Sequence, residues 1–242
     1  MNDWTRKPLI GFDLETTGVD VAVDRIVTAA VVHWGGGRPT VPHNWTSDMG
    51  GYEISAEATE IHGITTAAAR EAGRPAADVI GEIVETLHAY VNAGIPLVAM
   101  NAPFDFTILE RECERYGIRS LWSGCVPCVL DPRVLDKHVM PYRKGKRNLM
   151  ALADFWCVKV TGALHEAETD ARAACGVVHA IVRRYPWLAR VELGELHEKQ
   201  ARWAREQTAD FRAYLARVGG EVDDSPFDWP FVPSPAVGGE GR

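Results

Sequence analysis

Three short segments that carry acidic residues, far apart in the chain, constrain its fold more than any other feature. They are Asp13-Leu14-Glu15, Asn101-Ala102-Pro103-Phe104-Asp105 and His165-Glu166-Ala167-Glu168-Thr169-Asp170. Two acids spaced two residues apart on a strand project from one face of it. Four carboxylates gathered without cations would repel one another, whereas Mg²⁺ and Mn²⁺ bind carboxylate oxygens and water. The segments therefore predict a site for two such ions, which clamp the attacking and leaving oxygens of a phosphoryl displacement.

Alternating strand-like and helix-like segments predict an α/β fold in which helices cover a central sheet. Apolar stretches predict strands over 8–14, 25–34, 39–46, 97–100 and 126–130. The Gly35-Gly36-Gly37 turn indicates that the first three strands form an antiparallel meander.

Helical patterns place two of the acids at helix starts. Helices are predicted over 55–61, 75–92, 132–138 and 148–156, and from 103 and 168 onward, with a loop over 64–74. Asp105 and Asp170 then fall in first turns, and His165 lies in the loop before the second of these helices. In the helix over 148–156, Phe155 is expected to face inward with two leucines.

The composition predicts a soluble globular protein. Of the 242 residues, 46% are hydrophobic and 24% are charged, which allows a full core. The five cysteines are odd in number and scattered, and Cys125 and Cys128 form a lone pair, so neither a disulfide framework nor a zinc site is expected. Because no leader opens the sequence and no apolar run reaches membrane-spanning length, we expect a cytoplasmic location.

The formal net charge of −7 is unusual for a chain that binds nucleic acid. Part of the acidic excess belongs to the predicted metal site, where two divalent ions would return about four positive charges. The basic run Arg143-Lys144-Gly145-Lys146-Arg147 has two interpretations. It either contacts phosphate or is a solvated loop tip.

These motifs, in this order, resemble those of the DnaQ-like 3′→5′ exonucleases of the DEDD class, histidine subtype, which include the proofreading subunit of bacterial replicative polymerase. Residues 10–18 (IGFDLETTG) look like the first motif of that family, and 57–65 (EATEIHGIT) like the stretch after its third strand. Residues 101–105 match the second motif and 165–170 the third, although many relatives carry histidine where this chain has Asn101, a position that shapes the turn. The resemblance spans about 9–184 and implies a ribonuclease H-like mixed sheet in which parallel strands follow the antiparallel three.

The resemblance also implies roles for the site residues. Asp13 would bridge two divalent cations, Mg²⁺ or Mn²⁺, Glu15 and Asp170 would complete the site of the first, and Asp105 would hold the second. His165 would take the proton from the attacking water, which suits the near-neutral titration of a histidine side chain.

The resemblance further implies a group of residues that grip the terminal nucleotide. His62 has a second interpretation, as a histidine that ends a helix without touching substrate. The expected substrate-binding residues are Thr16, Thr17, Gly18, Ile61, His62, Asn101 and Phe104.

Three functions remain open at this point. The first is an exonuclease that removes nucleoside 5′-monophosphates from the 3′ ends of single-stranded or frayed DNA, in replication or repair. The second is a 3′→5′ exoribonuclease that acts on short RNA or RNA 3′ ends, because this chemistry does not depend on the 2′-hydroxyl. The third is a non-catalytic nucleic-acid-binding module on the same fold, since a fold does not guarantee activity.

The end of the chain differs in composition from the rest. We expect an exonuclease domain over 1–186 and an extension over 187–242, made of one helix to about 217 and a tail rich in aromatic residues and proline. Helix and tail either fold back onto the nuclease or present a peptide that docks a replication or repair protein.

Overall fold

A mixed five-stranded sheet forms the centre of the computed structural model, which describes residues 4–162 and 165–234. The strands are β1 Pro8–Thr16, β2 Ile26–Gly35, β3 Val41–Thr46, β4 Leu97–Val98 and β5 Val129–Leu130, in the spatial order β3-β2-β1-β4-β5. β1, β2 and β3 pair antiparallel, whereas β4 and β5 run parallel to β1. The fold class predicted from the sequence is confirmed.

Helices cover the sheet on both faces. They are α1 Ala56–His62, α2 Thr66–Ala72, α3 Ala76–Asn92, α4 Pro103–Tyr116, α5 Pro132–Val139, α6 Leu149–Phe155, α7 Ala167–Arg184 and α8 Leu193–Val218. Successive side chains of β1 point to opposite faces. Phe12 meets Phe106 of α4, with ring centroids 5.3 Å apart, while Gly11 faces α7. The two helices that carry Asp105 and Asp170 thus pack on opposite faces of one strand.

Most predicted elements are present, and their capping signals act as expected. The Ser55 side chain accepts a hydrogen bond from the Ala58 backbone at the start of α1, and Gly63 ends that helix in the left-handed conformation. The prediction of a loop over 64–74 is wrong, because α2 forms there and Thr65 caps its start. Its seven residues, TAAAREA, are too few to show an apolar period.

Two further predictions also need correction. β5 is shorter than the strand predicted over 126–130 and begins at Val129, and the Val126 side chain is exposed. Phe155 does not face inward, since it is 43% exposed and the Arg143 guanidinium lies 4.8 Å from its ring centroid. A cation over the ring makes this half-open position favourable for an aromatic residue.

The two arginines of the basic run are used inside the fold. Arg143 and Arg147 both pair with Asp136, at 3.2 Å and 2.8 Å, and the Asp136 side chain is completely buried. A buried carboxylate needs such partners, because an unpaired charge there would be costly. These arginines therefore anchor the loop before α6, and the exposed part of the run is Lys144 and Lys146.

The C-terminal extension packs onto the nuclease fold through the first half of α8. Leu196 and Trp203 are buried in the main core, whereas Phe211 and Tyr214, further along the helix, are 58% and 49% exposed. In the part of the chain that the structure describes, no helix is both long enough and apolar enough to cross a membrane.

The described part of the tail folds back onto α4. The Val232 backbone N–H donates to Thr107 Oγ1 (2.9 Å), and Arg111 donates to the Val232 carbonyl (3.0 Å). Trp229 is buried, and the rings of Phe231 and Trp122 lie 4.4 Å apart. The interpretation in which helix and tail fold back holds for these residues. A protein partner for the tail stays a prediction, as do the domain limits at 186 and 187.

One half-buried histidine, His197, joins α8 to the sheet. The Val129 backbone N–H of β5 donates to His197 Nδ1 (3.1 Å), so this ring must be neutral at that nitrogen. Burial lowers the pKa of His197 to about 4.

We expect this histidine to weaken the fold in acid. Its folded-state pKa lies below the ordinary value near 6.5, so the unfolded chain binds the proton more tightly. The free energy of unfolding should therefore fall by about 2–3 kcal/mol from this group as pH drops from about 6.5 to about 4. Urea unfolding of wild type and His197→Gln across that range tests this. A pH dependence that is the same in both proteins would contradict it.

Candidate active site

Three of the predicted acids meet where β1 ends. Asp13 and Glu15 leave the same face of β1, and Asp170 projects from the first turn of α7. Each offers a carboxylate oxygen, and these three oxygens lie within 4.8 Å of one another. Three acids so close could hold one hard cation between them.

α7 reaches this position because β1 carries a glycine. A Cβ atom at Gly11 would lie 2.5 Å from the Ala171 carbonyl oxygen, a separation that no side chain tolerates. The missing side chain lets the first turns of α7 lie directly on the strand. Asp170, the residue before Ala171, is thereby delivered to Asp13.

Asp105 approaches from the other side of β1. The Leu14 backbone N–H donates to Asp105 Oδ1 (3.1 Å), and Asp105 is 3% exposed. Its negative charge is one of the causes that raise the pKa of Asp13. The structure therefore brings all four predicted acids together around Asp13.

The turn before α4 is shaped by Asn101 and held by an acid that the sequence did not suggest. Asn101 adopts a φ of 61°, a conformation that asparagine tolerates better than most residues. Asp131, at the end of β5, accepts from the backbone N–H groups of Asn101 (3.3 Å) and Ala102 (3.0 Å). It also caps α5 and accepts from the Trp229 indole (3.3 Å). The Asp-Pro pair after a strand signals a helix cap, and that is the signal by which Asp131 could have been found.

The acids carry unusual electrostatics. Burial raises the pKa of Asp13 well above its ordinary value, and the charges of Asp105, Asp170 and Glu15 raise it further. Burial and then the charge of Asp170 raise the pKa of Glu15 to about 8, and burial raises the pKa of Asp170. Asp170 Oδ1 is buried and meets no hydrogen-bond donor among the described residues. A cluster that resists ionisation and keeps a buried oxygen unbonded fits divalent cations.

His165 stands at the rim of this cluster. It is exposed, has a φ of 58°, and lies two residues before α7. Burial raises the pKa of Asp170 and the His165 charge opposes that rise, while the same charge adds to the desolvation that lowers the pKa of His62, which places the ring near both groups. The residues that immediately precede it, 163 and 164, lie outside the described part of the chain.

His62, the other histidine at the site, is tied into the fold. The Ile64 N–H donates to its Nδ1 (3.1 Å), and its Nε2–H donates to the Thr16 carbonyl (3.3 Å). Desolvation lowers its pKa. Both ring nitrogens are engaged, so His62 holds α1 against the end of β1 and has no nitrogen free to take a proton.

The predicted substrate residues divide between inner and outer positions. Thr17 is buried and its hydroxyl donates to Asp24 Oδ1 (2.6 Å), while the Thr16 hydroxyl donates to the Gly18 carbonyl (2.6 Å). Ile61 on α1 is 53% exposed. Phe104 and Asn101 are half-buried at the start of α4.

A buried ion pair links the loop after β1 to α4. Arg25 Nη1 lies 3.2 Å from Glu112, which also pairs with Arg115 at 2.8 Å. The Arg25 carbonyl accepts a hydrogen bond from the Thr17 N–H, and the Arg25 N–H donates to Thr17 Oγ1, both at 3.0 Å. Neither Arg25 nor Glu112 showed a motif in the sequence, since buried ion pairs between distant elements leave no local pattern.

This chain belongs to a known family of nucleases. A family model described as an exonuclease of the RNase T type matches residues 10–178. The match spans the sheet and all four acids, and it confirms the resemblance to DnaQ-like exonucleases.

Individual relatives agree with the family. A DNA polymerase III subunit epsilon-like protein of Rhodobacter capsulatus is 36% identical over 103 residues, which are 42% of this chain and 14% of that protein. Exonuclease I from Methylocaldum szegediense superposes with a TM-score of 0.64 at 21% identity, over 76% of this chain and 42% of the other. Exonuclease X in complex with 5′ overhanging duplex DNA gives a TM-score of 0.56 at 19% identity, over 79% and 99%. The chain spans less than half the length of the first two relatives.

We expect Asp13→Asn to stabilise the metal-free protein and to abolish its stabilisation by metal. At the ordinary pKa values the unfolded acids are ionised by pH 5, whereas folding raises the pKa of Glu15 to about 8, so metal-free stability should decline as pH rises from about 4.5 to about 8. Removing the charge of Asp13 relieves the repulsion between the clustered carboxylates. Thermal melts with EDTA, MgCl₂ or MnCl₂ at pH 8 test it.

Asp154→Asn, at an exposed position on α6, is the matched control. An Asp13→Asn protein whose melting temperature rises with metal as much as that of wild type would show that the cluster does not hold the cation.

Proposed function

We propose that this protein is a metal-dependent 3′→5′ exonuclease of the histidine subtype that removes nucleoside 5′-monophosphates from single-stranded or frayed DNA ends. The observation that carries the proposal is the convergence of three other acids on Asp13, with a buried oxygen of Asp170 that has no hydrogen-bond partner among the described residues. Membership of an exonuclease family supports it.

Each acid has a part in this proposal. Asp13, Glu15 and Asp170 hold one divalent cation, and Asp13 with Asp105 holds a second. Two such cations, Mg²⁺ or Mn²⁺, supply positive charge to the attacking and leaving oxygens of the phosphodiester. The bond from the Leu14 N–H to Asp105 keeps one oxygen of that carboxylate fixed while the other stays available.

His165 is the proposed general base. It lies beside Asp170 on the exposed side of the cluster, where a nucleic-acid end can approach. A ring nitrogen of His165 takes the proton from the attacking water. His165 is assigned this role because both ring nitrogens of His62 are already hydrogen-bonded.

Two groups of residues grip the strand end in this proposal. Ile61 offers an exposed apolar surface on α1, and Phe104 and Asn101 are half-buried at the start of α4. The backbone around Thr16 and Gly18 is braced by internal hydrogen bonds, so it meets the substrate as a rigid wall. A closed wall behind the last nucleotide would favour ends over internal sites.

DNA is the preferred substrate in this proposal. The DNA-bound structure of exonuclease X, which is similar to this chain over most of both lengths, supports it. A non-catalytic module would have no use for four acids whose pKa values are raised, chiefly by burial and, for Asp13 and Glu15, also by neighbouring carboxylates.

We expect cleavage to require a free 3′ end. Linear single-stranded DNA labelled at its 5′ end should shorten step by step and release mononucleotides, while a circular single strand should persist. RNA oligomers of the same sequence, run beside the DNA, measure the preference between the two. Nicking of the circle by wild type but not by Asp13→Asn would contradict an end-dependent enzyme.

We expect His165→Ala to lower the turnover rate by about 10²–10⁴-fold, the usual effect of losing a proton-transfer group. DNA binding should change little, and the decline of the wild-type rate toward acidic pH should disappear. Single-turnover rates between about pH 5.5 and 9 measure both effects. His43→Ala, an exposed histidine on β3, is the control. A larger loss in His62→Ala would transfer the role of base to His62.

A further inference from the structure

A groove of about 860 Å³ begins at the turn that leads to Asp105, and of its lining residues only Asn101 has a role in the proposal above. It lies between α5, the loop before α6, α8 and the folded-back tail. Asn101 and Pro103, from the turn that delivers Asp105, form its inner end. The groove therefore opens directly from the proposed substrate position.

The groove lies on the edge of the sheet where the site lies. β1, β4 and β5 are parallel, so Glu15, Asn101 and Asp131 all follow carboxyl ends of strands. Ligands of open α/β sheets bind along this edge. A strand whose 3′ end sits at Asp13 can continue past Asn101 into the groove.

The groove is cationic in an acidic protein. Four cationic side chains and two acidic ones line it, and one of the acids, Asp131, is buried and hydrogen-bonded. Arg143 and Arg147 are already paired with Asp136, so the accessible charges of the lining are the cations Arg133 and Lys137 and the single acid Asp210. In a chain with a net charge of −7, such a surface favours a polyanion.

Two exposed aromatic rings line the outer part of the groove. Phe211 and Tyr214 lie three residues apart on α8, hence on one face of the helix, and both are about half exposed. Bases stack on such rings irrespective of sequence, while cations track the phosphates. Aromatic rings beside unpaired cations fit a single strand better than an acidic peptide.

We propose that this groove binds the single-stranded part of the substrate several nucleotides from its 3′ end. This proposal rests on the proposed function and extends it, since the extension would then act as a second substrate site. Oligomers long enough to reach α8 would bind more tightly than short ones.

The test measures binding separately from cleavage. Fluorescence anisotropy in EDTA gives the Kd of 5′-labelled dT15 and dT3 for wild type, the double variant Phe211→Ala/Tyr214→Ala and Lys137→Gln. We expect wild type to bind dT15 at least 10-fold more tightly than dT3, and the double variant to lose most of this difference. Lys137→Gln should lower the slope of log Kd against log salt by about 0.7, the value for one phosphate contact in a single strand.

The controls are Tyr142→Ala, an exposed aromatic residue outside the groove, and Arg38→Gln, on the turn between β2 and β3. The proposal would be overturned if wild type bound dT15 and dT3 equally well. It would also be overturned if the double variant lost affinity for the two oligomers by the same factor. The proposal would also be overturned if the double variant bound an acidic peptide less tightly than wild type does but bound dT15 equally well.

The proposed function can fail independently of this groove. If length-dependent binding is lost in the variants but wild type with Mg²⁺ or Mn²⁺ hydrolyses neither oligomer, the groove proposal holds and the nuclease proposal fails. If dT3 is hydrolysed but wild type binds dT15 and dT3 equally well, the nuclease proposal holds and the groove proposal fails.

Discussion

The contact between β1 and α7 at Gly11 is the constraint on which the acidic cluster depends. Only a residue without a side chain lets the Ala171 carbonyl come so close to the strand. This close approach of α7 to β1 decides whether the Asp170 carboxylate reaches those of Asp13 and Glu15, because the three side chains project from the backbones of these two packed elements. One hydrogen atom in place of a methyl group thus determines where the Asp170 carboxylate lies.

The repulsion that this closeness creates is resisted by the rest of the fold. Asp131 holds the turn before α4, and the pair formed by Arg25 and Glu112 ties the loop after β1 to the same helix. These contacts lie behind the acids and oppose their separation. Buried ion pairs add little net stability in general, but removing one partner is strongly destabilising, so they act mainly as rigid struts.

Much of this arrangement can be read from the sequence because it is local. A strand that ends in two spaced acids and helices that begin at Pro103 and near Glu168 place the acids without knowledge of the tertiary fold. Contacts between distant elements cannot be read in this way. Three features depend on neighbours that no short window of the sequence contains. They are the pairing of Arg143 and Arg147 with Asp136, the exposure of Phe155, and the short helix α2, which begins at Thr66.

The tail gives α4 a support that arrives late. Val232 bonds to Thr107, a residue 125 positions earlier in the chain. At a synthesis rate of roughly 5–20 residues per second, about 6–25 s pass between the emergence of the two. β1, α4 and α7 are all synthesised before this segment, so the inner supports of the acidic site exist first and the outer one is added last. The outer support of α4 can therefore form only after the chain of the inner ones has been made.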